Sequence, residues 1–115
     1  MNKKTLLNFL KSGGATICKN GKLANFKEGY QISKQDCYIL EVEKINDILK
    51  SINNLLNTIS SNEFCGVWVD SGKCYIDISI NIKDKNTAIK KGIELQQISI
   101  WDWCNKNCIY LKKQN

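Results

Sequence analysis

Apolar residues recur along this chain at two different periods. From residue 45 onward, Ile45, Ile48, Leu49, Ile52, Leu55, Leu56 and Ile59 follow one another at steps of three and four, with occasional neighbours. That spacing puts them on one stripe of a helix and fits no other regular structure, so it predicts a helix over 43–59. Glu43 and Asp47 fall in its first turns, where carboxylates favour the positive end of the helix dipole. From Lys73 to Ile82 the period drops to two. Cys74, Ile76, Ile78, Ile80 and Ile82 alternate with Tyr75, Asp77, Ser79 and Asn81, the pattern of a strand buried on one face. A partner strand is expected at 65–69. A loop at Ser71 and Gly72 then sets Val69 opposite Cys74, Val67 opposite Ile76 and Cys65 opposite Ile78. The same register puts Trp68 beside Tyr75 and Gly66 beside Asp77 on the other face.

Weaker patterns fill in the remainder. Residues 3–11 predict a short helix with Leu6, Leu7 and Leu10 on one side, stopped by Ser12, Gly13 and Gly14. Asn20 and Gly21 tolerate the positive φ of a type I′ turn and predict a hairpin with Ile17 opposite Ala24 and Ala15 opposite Phe26. Extended segments are expected at 30–32 and 37–42, on either side of a polar break at 33–36. Asp84 is placed to cap a helix over 85–96, whose inner side carries Ala88, Ile89, Gly92, Ile93 and Leu95. Strands at 98–103 and 108–111 flank a polar turn at 105–107. The expected fold is α+β: a largely antiparallel sheet with two main helices packed on one face, plus a short N-terminal helix. A length of 115 residues suits one core, so residues 1–115 are read as a single domain.

Composition narrows the chemistry. The chain has no histidine, no proline and no arginine; all 17 positive residues are lysines. Histidine acid–base catalysis, histidine-containing zinc sites and arginine phosphate clamps are therefore excluded. The net charge of +6 is uneven. Lys3, Lys4, Lys11, Lys19, Lys22 and Lys27 meet no acid before Glu28, whereas residues 28–105 hold eight lysines against eleven acids. Such a basic region can contact nucleic-acid phosphates, without sequence preference because lysine lacks the guanidinium fork that reads guanine. Fourteen asparagines and the absence of arginine equally fit codon bias in an AT-rich genome.

Six cysteines (Cys18, Cys37, Cys65, Cys74, Cys104 and Cys108) follow no CxxC spacing. With no signal peptide expected and no apolar run of membrane length, they are read as reduced thiols of a cytoplasmic protein. Nucleophilic cysteine chemistry needs a base, normally histidine, and none exists. The glycine-rich stretch at 12–16 follows a helix and precedes a hairpin, the reverse of a phosphate-binding loop. Asp70, Asp77, Asp84 and Asp102 are hard oxygen ligands, but their spacing does not bring them together, so neither a metal nor another cofactor is expected. No complete catalytic constellation is visible, and the chain is read as a non-enzyme. The strongest surface feature is the set Trp68, Tyr75, Asp77, Trp101, Asp102 and Trp103. Left uncovered, it is an aromatic strip with carboxylates suited to a protein interface. Covered by the N-terminal helix, it is a second small core.

Stretches 12–16, 30–33, 66–82 and 97–102 carry a resemblance. A GGAT-like start, a Y-x-[IV]-S strand and a [GW]-x-W-x-D-x-G-K-x-Y-I-D hairpin occur here together. The hairpin reads Gly66-Val67-Trp68-Val69-Asp70-Ser71-Gly72-Lys73-Cys74-Tyr75-Ile76-Asp77. In these stretches the chain resembles small proteins carried by phages and plasmids of AT-rich bacteria, a group that includes inhibitors of host defence such as anti-CRISPR proteins. The resemblance implies a protein that binds and inhibits a bacterial defence effector or its nucleoprotein complex, and transfers no functional residue. Two expectations thus stand: a protein-binding inhibitor, alone or as a homodimer, and a nucleic-acid-binding protein using the basic N-terminal region. For the thiols, alkylation of the freshly purified, denatured protein should modify all six cysteines by mass; reproducible pairs formed without air exposure would contradict the reduced state.

Overall fold

The period-two segment becomes the middle of a sheet. The computed structural model describes residues 1–111, comprising α1 (Lys3–Lys11), β1 (Gly14–Cys18), β2 (Tyr30–Glu41), α2 (Ile45–Thr58), β3 (Phe64–Asp70), β4 (Lys73–Ile82), α3 (Lys85–Glu94), β5 (Ser99–Asp102) and β6 (Asn107–Tyr110). The six strands pair antiparallel in the order β1-β3-β4-β2-β5-β6, so the protein belongs to the α+β class. Around β4, the β3–β4 register is the expected one at every position named above. Ser71 and Gly72 both have positive φ, 51° and 78°, the type I′ geometry whose twist matches that of the two strands.

Three expectations need correcting. The Asn20–Gly21 hairpin is one residue out of the expected register. Gly21 N–H donates to the Cys18 carbonyl and Cys18 N–H to the Lys22 carbonyl, both at 2.8 Å, and Ile17 bridges to Leu23 instead of Ala24. Gly21 has φ of 86°, while Asn20 stays at negative φ; this is a type I turn closed by a glycine bulge. Second, the segments at 30–32 and 37–42 are one strand. The polar break between them is a pair of β-bulges that leave Lys34 and Cys37 without partners on β4. Third, both main helices are shorter than their apolar stripes. Lys44 is the N-cap of α2, which places Glu43 ahead of the helix, and α3 ends at Glu94. Its cap is as expected: the Asp84 carboxylate accepts from Thr87 N–H at 2.8 Å and from the Thr87 hydroxyl at 2.7 Å.

One side of β4 supplies the main apolar contacts of the sheet. Cys74 and Ile76 join Ile17, Cys65 and Val67 under Leu6 and Phe9 of α1 and Ile48, Ile52, Leu55 and Leu56 of α2. Further along the same alternation, Ile80 and Ile82 pack beside Ile32, Ile100 and Ala88 of α3. The N-terminal helix therefore lies with α2, not over the aromatic residues. Gly14 lets β1 start against β3: a Cβ there would collide with the Val67 carbonyl and stand 2.8 Å from Trp68 Cα. Gly14 thus serves close backbone approach, while Gly13, with open space around it, supplies the positive φ of 101° that turns the chain out of α1.

Ile52, fully buried at the centre of the α2 stripe, tests this core. Ile52→Ala should lower the unfolding free energy by about 2–5 kcal/mol in urea titrations followed by circular dichroism. Ile52→Asp, which buries an unpaired charge, should leave no cooperative transition.

Candidate functional site

The other side of the sheet carries the polar half of the alternation, and register arranges it in rows. Across β3, β4 and β2 these read Asp70–Lys73–Glu41, Trp68–Tyr75–Ile39, Gly66–Asp77–Asp36 and Phe64–Ser79–Ser33. Strict alternation back from Ile39 would put Cys37 and Gln35 on this face and send Asp36 to the helix side. The bulge at Cys37 reverses that phase and sets Asp36 opposite Asp77. Sequence reasoning missed Asp36 for this reason; the available signal was the loss of alternation within one extended segment.

This face is concave. The Thr16 hydroxyl on β1 donates to Gln31 Oε1 on β2 at 2.8 Å, although β3 and β4 lie between them. Strands about 4.8 Å apart would hold these positions at least about 14 Å apart in a flat sheet; the sheet curls into half a barrel around its polar side. Gln31 is the hub at one end. Its amide donates to Ser79 Oγ at 3.0 Å, and its carbonyl also accepts from the Trp103 indole at 3.2 Å. The segment after the first hairpin crosses here, with Phe26 set edge-on against Phe64 at 5.1 Å and Trp103 at 5.4 Å. Trp103 in turn meets Trp101 at 6.3 Å. Lys34, the residue extruded by the first bulge, reaches from β2 to Glu63 ahead of β3 at 2.7 Å. Lys34, followed by the Ser60 N–H and hydroxyl, holds the Glu63 carboxyl down at about 2.

The opposite end is open. Trp68 and Tyr75 stack with ring centroids 4.2 Å apart and planes 11° from parallel, and Trp68 is 45% exposed. Beside them a cleft of about 190 Å³ is lined by Asp36, Tyr38, Ile39, Trp68, Tyr75, Ile76 and Asp77. Asp77 is only 9% exposed, and its Oδ1 has no hydrogen-bond partner. That oxygen sits where a Cβ on Gly66 would be, so the glycine provides the notch that holds the carboxylate. Burial pushes the Asp77 carboxyl up to about 7. The Ser33 hydroxyl opposes that shift, Asp36 adds to it, and the Gly66 N–H opposes it.

The six residues expected to form one strip are thus divided. Trp68, Tyr75 and Asp77 lie together at the open end. Trp101 and Trp103 lie at the closed end, about 20 Å away along β4 by the rise of a strand. Asp102 joins neither group. It is 3% exposed, pairs across β5–β2 with Tyr30, and holds the turn into β6. There Oδ1 accepts from Cys104 N–H at 3.0 Å and Asn105 N–H at 3.2 Å, while Oδ2 accepts from the Asn105 amide at 2.8 Å. Among the lysines singled out for nucleic acid, Lys19 is committed elsewhere: its ammonium donates to the Leu56 carbonyl at 3.1 Å and the Ile59 carbonyl at 2.5 Å, capping the end of α2. Lys3, Lys4, Lys11, Lys22 and Lys27 are exposed, and Lys112 and Lys113 of the basic tail lie outside the described residues.

All six cysteines are free, with Cys65 and Cys74 buried. Burial pushes the Cys74 thiol up to about 11 and the Cys65 thiol further still, which makes both poor nucleophiles. Among the described residues no group of three or more Cys, Asp or Glu is arranged to hold a metal ion, and no helix is long and apolar enough to cross a membrane. In comparisons with known proteins, no family model, no curated protein and no solved structure matches this chain.

Asp77 yields a pH prediction. Its carboxyl titrates near 3.8 when unfolded and near 7 when folded. Between those values the native state holds a proton the unfolded chain has lost, so rising pH lowers stability, by at most about 4 kcal/mol, and the loss levels off above the folded value. Asp77→Asn removes this slope. Urea midpoints should show the variant more stable than the parent at about pH 8 and the two nearly equal at about pH 4. A difference independent of pH would show that Asp77 is not desolvated.

Proposed function

We propose that this protein acts by binding another macromolecule, without catalysis of its own, and that the open end of the curled sheet is its contact surface. The observation carrying this reading is the Trp68–Tyr75 stack, held on two paired strands with one large aromatic face left uncovered. Rigid aromatic side chains on strands lose little conformational freedom on binding and serve as interface anchors. Ile39, 61% exposed in the same row, extends the apolar patch. Around it stand Asp36, Asp70, Asp77 and Glu41, with Lys73 the one cation in these rows. An acidic rim about an aromatic centre complements an electropositive partner surface. A nucleic-acid-binding effector of bacterial defence presents such a surface, and the resemblance to phage and plasmid proteins supports that class of partner.

Affinity capture from a host lysate, followed by reconstitution with the recovered protein, tests the reading. Replacing Trp68 and Tyr75 together by alanine should weaken the reconstituted complex by at least about tenfold while the urea midpoint changes little. Unchanged affinity in the folded double variant would eliminate this surface.

A further inference from the structure

The cleft beside the aromatic stack has a more specific chemistry than an apolar interface. We propose that it receives the cationic side chain of a lysine or arginine presented by the protein partner, with the cation against the Trp68–Tyr75 rings and its N–H groups donating to Asp36 and Asp77. The proposal rests on the binding surface assigned above and names what that surface recognises.

Four observations lead to it. Asp77 lines the cleft and is nine-tenths buried; its donorless Oδ1 is shut in over Gly66, which leaves the carboxylate under-solvated and stabilised by a donor that reaches its other oxygen from the cleft. Asp36 faces it from the neighbouring strand, so the cleft offers two acceptor groups on one side. The other side is the stacked pair Trp68 and Tyr75, and an aromatic ring beside carboxylates is the arrangement that holds an alkylammonium or guanidinium ion. Among the described residues no lysine lines the cleft: Lys34 is paired with Glu63, Lys19 is bound to the α2 carbonyls, and Lys73 lies a full row beyond the aromatic pair. The cleft volume of about 190 Å³ equals roughly six water molecules, enough for the end of one long side chain and too small for a folded element.

The approach is also open. β5 pairs with β2 only at Tyr30 and Gln31, so the outer edge of β2 from Ile32 to Glu41 has no neighbouring strand among the described residues. Asp36, Tyr38 and Ile39, which line the cleft, belong to that edge. An extended partner segment passing along β2 would bring a side chain over it.

The probes are three capped peptides, acetyl-Gly-Arg-Gly-amide, its lysine counterpart, and a citrulline counterpart that keeps arginine's shape without its charge. Each is titrated into the full chain at low ionic strength and followed by the Trp68 indole and Asp36 and Asp77 carboxyl NMR signals. The arginine and lysine peptides should shift all three sets together and saturate at about millimolar concentration, and the citrulline peptide should bind at least about tenfold more weakly. Asp36→Asn, at an exposed position, and Asp77→Asn should each weaken the charged peptides severalfold and leave the citrulline peptide unchanged. Equal binding of citrulline, no saturable shift, or shifts spread over unrelated surface acids would overturn the proposal. So would concentration-dependent self-association abolished by Asp36→Asn, which would make a lysine of a second copy the occupant. Should capture of the partner depend on Trp68 and Tyr75 but not on Asp36 or Asp77, the cation site fails while the aromatic contact surface stands.

Discussion

The alternation of β4, held at the centre of the sheet, governs both the stability of this molecule and its candidate site. A strand flanked by β3 and β2 cannot shift by one residue without exchanging its faces. Cys74, Ile76, Ile80 and Ile82 are thereby committed to the helices, and Tyr75, Asp77, Ser79 and Asn81 to the opposite side. The apolar half assembles the core with α1, α2 and α3. The polar half then needs partners of its own, because the curled sheet withdraws it from water.

Those partners are distributed unevenly along the strand. At one end Ser79 is satisfied through Gln31, which also holds Thr16 and the Trp103 indole, and Phe26 seals the cluster. Two residues away Asp77 has no equivalent of Gln31, and one of its oxygens is left unpaired over Gly66. A desolvated carboxylate destabilises the fold, and its raised affinity for a proton expresses that. The Asn81 amide nitrogen, at the closed end, also lacks a partner, but it is neutral; the open end differs in burying an unpaired carboxylate.

The bulges of β2 connect this chemistry to the backbone. One extrudes Lys34, which ties β2 to Glu63; the other turns Asp36 onto the concave face. Bulges also interrupt the regular donor and acceptor pattern of the uncovered β2 edge, which discourages indiscriminate strand pairing. The same irregularity therefore shapes the cleft and guards the strand beside it.

Period and turn chemistry in the sequence were sufficient for the α2 stripe, the β4 alternation, the β3–β4 register, the Asp84 cap and the α+β class. Each depends on neighbours within a few residues, where side-chain geometry leaves one solution. Trp68 beside Tyr75 and Gly66 beside Asp77 were legible for the same reason. What joins residues distant along the chain was decided by tertiary structure. The polar stretch at 33–36 reads as a break because bulges erase alternation, and only pairing with β4 shows that the strand continues. The hairpin at Asn20 and Gly21 admits two turn geometries, and packing of Phe26 against Phe64 and Trp103 accompanies the one adopted. Trp101 and Trp103 share composition with Trp68 but not location, since β5 sits at the far end of β2. Lys19 and Asp102 read as surface charges, yet one caps α2 and the other holds a turn, because a charged group satisfies backbone atoms that only the folded chain brings within reach.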